Sequence, residues 1–131
     1  TLLIGVNNRC QRQSVSLYQK EFPELVTNSV ALTKGDKSKV IVVSIPDYAY
    51  TPAGQGFGNT STISDEINKY NEFARIYCQD RNIAFISITE ITRGGISDTE
   101  LVATDGLHPS EKAYRFFAQR IAPLAANSLN N

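Results

Sequence analysis

The sequence predicts an α/β domain, a parallel sheet with helices on its faces. Two observations carry this. Three short apolar runs, Thr1–Ile4, Val40–Ile45 and Ile83–Ile88, are nearly continuous rather than alternating, as in strands covered on both sides. Segments of helical periodicity lie between and after them, giving the order β-α-β-α-β-α, which right-handed crossovers convert into a parallel sheet. The 131 residues fit one domain, and 41 % hydrophobic against 20 % charged residues suffice for a core.

Thr1–Ile4 ends at Gly5, where the backbone can turn sharply. Ser14 to about Leu32 is helical in pattern, with Leu17, Tyr18, Leu25 and Val26 apolar. Pro23 interrupts it, and proline inside a helix costs ~3 kcal/mol, so a kink or break is expected at Phe22-Pro23. Lys34, Asp36, Lys37 and Lys39 read as a solvated turn. Val40–Ile45 is a β-branched strand closed by Pro46. The long loop Pro46–Ser61, rich in Gly, Pro, Tyr and Thr, then leaves the C-terminal end of that strand, the edge where open α/β sheets bind ligands. Ile63, Ile67, Tyr70, Phe73, Ala74 and Tyr77 share one helix face, with a capping box at Thr62-Ile63-Ser64-Asp65. Ile83–Ile88 is the third strand. The last helix runs from Ser110, its cap, to about Ala122 and is disturbed by Pro123; Ala113, Phe116, Phe117 and Ile121 are its apolar positions.

Thirteen basic residues balance thirteen acidic ones, which argues against a nucleic-acid or anionic-membrane partner. No apolar run reaches the ~18 residues of a membrane span. No group has metal-ligand spacing, and Gly54, Gly56 and Gly58 alternate without a helix at the phosphate-binding offset, so neither metal nor cofactor is expected. Cys10 and Cys78 read as free thiols, one in a loop and one on a helix, with a disulfide the minority reading. Asn59-Thr60-Ser61 matches a glycosylation triplet of a kind that arises often by chance. The chain has no Met, even at position 1, and opens on what reads as a strand already under way. The expectation is that it is the C-terminal part of something longer.

His108 is the only histidine, in Asp105-Gly106-Leu107-His108-Pro109-Ser110. An aspartate three residues upstream, with glycine between, can hold one ring nitrogen and leave the other free as a general base. A structural Asp–His hydrogen bond is the alternative. Gly5-Val6-Asn7-Asn8 puts an amide at the end of the first strand, where it could donate to a developing oxyanion; an ordinary turn is its alternative. Asp98 and Glu100 are spare carboxylates that spacing does not tie to His108.

The two motifs in this order resemble the SGNH or GDSL hydrolases, a family of esterases and acylhydrolases. Gly5-Val6-Asn7-Asn8 matches the family's third block, Gly-x-Asn-Asp, with Asn8 in place of Asp, and Asp105-Gly106-Leu107-His108-Pro109 matches the last, Asp-x-x-His. The resemblance extends through the element order and implies a flavodoxin-like three-layer α/β/α fold. It makes His108 the general base, Asp105 its orienter and Asn7 an oxyanion donor. The Gly-Asp-Ser block of the family's nucleophile and the glycine of its second donor are not in this chain: Gly95-Ile96-Ser97-Asp98 follows the wrong strand, and Ser44 lies inside one. The resemblance therefore implies the C-terminal part, residues 1–131, of a single domain whose N-terminal remainder stays bound as a companion. Ester hydrolysis by a Ser-His-Asp triad is the expected function, with Tyr48, Tyr50 and Phe57 walling the substrate pocket. A non-catalytic flavodoxin-like binding or interaction module is the alternative.

Overall fold

A computed structural model describes residues 1–129. Its sheet is small. Strand β1 (Ile41–Val43) runs parallel to β2 (Ala84–Ile86), with Val42 opposite Phe85. On the other side of β1, Leu2 makes a single parallel bridge to Val42. Its N–H donates to the Ile41 carbonyl (2.8 Å) and its carbonyl accepts from Val43 N–H (2.9 Å). The run Thr1–Ile4 thus provides one rung and not a full strand.

β1 and β2 are also shorter than their apolar runs, because side chains take over the backbone groups beyond them. Ile45 N–H donates to Asn71 Oδ1 (2.8 Å) and Asp47 N–H to Thr92 Oγ1 (2.8 Å). The buried Ser44 hydroxyl accepts from the N–H groups of Ile88 (2.8 Å) and Thr89 (3.2 Å). A hydroxyl or amide that replaces a ladder partner satisfies the buried backbone while letting it turn away from the sheet.

Helix α1 (Val6–Cys10) follows Gly5 directly, and α2 spans Val15–Leu32. α2 runs unbroken through Pro23, against the expected kink or break. The carbonyl that proline leaves without its helical partner belongs to Gln19, which is exposed and open to water. Two short 3-10 turns, Tyr48–Tyr50 and Gly54–Phe57, shape the segment after β1. Helix α3 (Thr60–Gln79) starts before the expected capping box, and its cap is Asn59, whose side chain accepts from Thr62 N–H. A single-turn helix α4 (Thr89–Thr92) follows β2, and α5 (Glu111–Leu129) continues past Pro123. Ser110 Oγ accepts from Ala113 N–H (3.3 Å) at its start.

Apolar groups pack on both faces of the sheet. Tyr18, Phe22 and Val26 of α2 and Ile63, Ile67 and Tyr70 of α3 meet Val40, Val42 and Ile45. Ala113 and Phe117 of α5 meet Ile41, Val43, Ile86 and Ile88. Alternate residues of β1 enter opposite cores, so its sequence is apolar throughout. Both cysteines are free; Cys78 is buried on α3, and Cys10 is the exposed last residue of α1 rather than a loop residue. Among the described residues no helix is long and apolar enough to cross a membrane.

Candidate active site

Asp105 and His108 are brought together by a tight turn. Gly106 between them has φ +73°, a conformation L side chains rarely adopt. Asp105 Oδ1 accepts from the backbone N–H of Leu107 (2.9 Å) and of His108 (3.0 Å), while Oδ2 lies 2.6 Å from His108 Nδ1. The two backbone donors first, and the ring after them, hold the Asp105 carboxyl down at about 2. The carboxylate is therefore ionised at any working pH and aimed at Nδ1. A proton on Nδ1 leaves Nε2 as the basic nitrogen. Behind the turn, Val102 bridges Pro109 antiparallel, and Ala103 N–H donates to the His108 carbonyl (2.8 Å). The ring itself stays 71 % exposed.

Asn7 is positioned by Gly5. That glycine is buried with φ +123°, and a Cβ on it would come within 2.9 Å of the Tyr18 ring. The chain turns there into α1, and Asn7 falls on the first turn. Among the described residues its side-chain amide has no hydrogen-bond partner, so it is free to donate. Asn8 is committed elsewhere, giving hydrogen bonds to Gln13 Oε1 (2.9 Å) and Glu21 Oε2 (3.1 Å).

Asn7 and His108 line one cavity of about 380 Å³. Tyr48 and Phe57 line it too, their rings edge-on with centroids 6.0 Å apart. Tyr50 does not; it packs against the core beside α2 and α3. Val6, Leu101, Val102 and Leu107 make much of the remaining wall apolar. Burial, and then the neighbouring Cys10, hold the Tyr48 phenol up at about 12, so it keeps its proton.

Two residues that sequence reasoning missed also face this space. Cys10 lies one helical turn beyond Asn7. The i, i+3 spacing signals a shared helix face, but only once α1 is known to be a helix. Asp47 is fully buried in the wall. Its carboxylate accepts from Ala49 N–H (3.1 Å), Ser64 Oγ (2.7 Å) and Arg93 Nε (2.9 Å), which leaves it no catalytic freedom. The cavity's threonine hydroxyls are similarly occupied. Thr51 Oγ1 bonds the Tyr48 carbonyl and Gly54 N–H, and Thr92 Oγ1 bonds the Thr89 carbonyl and Asp47 N–H. Ser44 is buried and saturated, Ser97 donates to the Gly94 carbonyl, and Ser110 caps α5. Asp98 and Glu100 both pair with Lys112. Among the described residues no three His, Cys, Asp or Glu side chains could hold a metal ion.

The arrangement sets an imidazole held by a carboxylate, and an amide without a partner among the described residues, at one cavity with a largely apolar wall. A family model described as the GDSL-like Lipase/Acylhydrolase family matches residues 1–116, from the Leu2 rung into α5. No curated protein and no solved structure matches the chain.

Proposed function

Because this chain belongs to the GDSL-like lipase/acylhydrolase family, we propose that it carries the base half of a serine ester hydrolase. The observation that carries the reading is the Asp105–His108 pair beside a cavity that the unpartnered Asn7 amide also lines. In this reading the nucleophilic serine belongs to a segment outside this chain that docks against the cavity, completing a three-layer, flavodoxin-like domain. The serine oxygen attacks the ester carbonyl as His108 Nε2 takes its proton. Asp105 stabilises the imidazolium, and Asn7 donates to the oxyanion. The tetrahedral intermediate expels the alcohol, which receives the proton from Nε2. Water then adds to the acyl-serine with the same ring as base, releasing the acid and restoring the hydroxyl. Tyr48 and Phe57 wall the substrate.

The test compares the parent protein with its His108→Ala variant on 4-nitrophenyl acetate. Turnover should fall by ~10⁶, as removal of the base from a triad does elsewhere. The 131-residue chain alone should stay at background. Full turnover by the isolated chain would place the nucleophile within it and overturn the split reading. A second reading, a non-catalytic binding module, draws on the occupied threonine hydroxyls of the cavity. It requires that His108→Ala leave the parent's hydrolysis unchanged.

A further inference from the structure

A second cavity, of about 480 Å³, adjoins the first, and Arg9, Arg12 and Phe57 line both. Its charges do not balance. Among the described residues, the only carboxylate lining the second cavity, Glu66, is paired with Arg9, and the only one lining the first, Asp47, is paired with Arg93. Arg12 and Lys69 also line the second cavity, and among the described residues neither has an ion-pair partner. The start of α3 opens there through Asn59 and Thr62, and no acidic residue in its first turn offsets the positive end of this 20-residue helix.

The backbone that carries Arg12 is firmly held. Its φ of +56° is a conformation that glycine or asparagine adopts more readily, yet the position holds an arginine. The flanking chain is fixed, because Arg12 N–H donates to the Arg9 carbonyl (2.9 Å), Gln13 N–H to the Asn8 carbonyl (2.8 Å), and Tyr70 Oη to the Gln13 carbonyl (3.0 Å).

Building on the esterase reading, we propose that Arg12 and Lys69 form a subsite for a negatively charged group on the substrate, so that the preferred ester carries an anion beyond its scissile bond. The reacting carbonyl sits between Asn7 and His108, an apolar stem passes Phe57 where the two cavities meet, and the anion reaches Arg12 and Lys69. Guanidinium and ammonium groups both donate charge-assisted hydrogen bonds to carboxylate or phosphate oxygens.

Two non-hydrolysable ketones of the same carbon skeleton test this on the parent protein: 6-oxo-6-phenylhexanoate, which bears a carboxylate, and the neutral hexanophenone. Affinities are read from NMR shifts of the His108 ring and the Arg12 and Lys69 side chains. The carboxylate probe should bind about tenfold tighter at low ionic strength, with the gap closing as salt screens the exposed charges. The Arg12→Gln/Lys69→Gln double variant should lose the gap and keep its affinity for hexanophenone. Equal affinities for the two probes, or a gap that survives the double variant, would overturn the proposal. So would a carboxylate that moves Arg12 and Lys69 but leaves His108 unmoved. Hexanophenone shifting His108 with no added affinity from the carboxylate sinks the subsite alone. Failure of both probes to bind sinks it together with the esterase reading.

Discussion

Two carboxylates serve one cavity in opposite ways. Asp47 is wholly enclosed and spends both oxygens on Ala49, Ser64 and Arg93. Asp105 is half exposed and spends one oxygen on its own turn and the other on a ring that water also reaches. Burial alone would single out Asp47 as the functional group. Its bonds instead link the segment after β1 to α3 and to the residues following α4, so it secures the wall. Asp105 is held by its nearest neighbours in sequence and needs no core to keep its place. If the proposed esterase reading holds, availability, and not enclosure, separates the working carboxylate from the structural one.

That contrast is open to attack by substitution. Asp105→Asn in the parent protein should lower turnover by ~10⁴, because an amide no longer selects the tautomer with a basic Nε2, while the denaturation midpoint barely moves. A large loss of stability instead would erase the distinction between the two sites. Asn7→Ala should lower turnover by about 10²–10³, the usual effect of losing one oxyanion donor, with substrate affinity little changed. Unchanged turnover would reduce Asn7 to a turn residue.

Asp47→Asn should act on folding. It leaves the Arg93 guanidinium without its counter-charge and the Ser64 hydroxyl with a poorer acceptor. Breaking a buried pair costs ~3–5 kcal/mol, and because Arg93 is 32 % exposed the lower end is expected, read by urea denaturation. The smallest effect concerns acid. The Asp105 carboxyl lies near 2 in the folded chain, below the ~3.9 of an unfolded aspartate. A group with a depressed folded value contributes stability that is fully present above the unfolded value and is lost as pH falls through the folded one. The turn should therefore loosen between about pH 4 and pH 2, and the Leu107 and His108 amide resonances should titrate near the bottom of that window. Titration at an ordinary carboxylate pH would show that the turn does not hold Asp105.

What the sequence made legible was mostly local. Asp105, Gly106 and His108 lie within four residues, so their turn could be read from residue types, and helix periodicity placed α2, α3 and α5. The strand ends were not legible, because Ser44 meets Thr89 across 45 positions and Asn71 reaches Ile45 across 26. Such side-chain ties leave no periodic trace. Pro23 and Pro123 misled because helix-breaking cost depends on where the freed carbonyl points. Cys10 reads as a loop thiol because α1, five residues long, is too short for a repeating pattern. Tyr50 shared the composition of Tyr48 and Phe57, and only packing assigned it to the core.

The single rung at Leu2 has a consequence for how the molecule breathes. Two backbone hydrogen bonds hold Leu2 to β1, while Leu2, Ile4 and Val6 pack against the core and Asn8, Arg9 and Gln13 are tied to Glu21, Glu66 and Tyr70 on α2 and α3. Proteins open in units, and the least-secured unit opens first. Here the rung at Leu2 is held by fewer bonds than α1, so it should leave β1 in fluctuations that keep α1 docked on α2 and α3 and both cores intact. Any segment that pairs with Leu2 on its other side would then close the edge of the sheet that opens first.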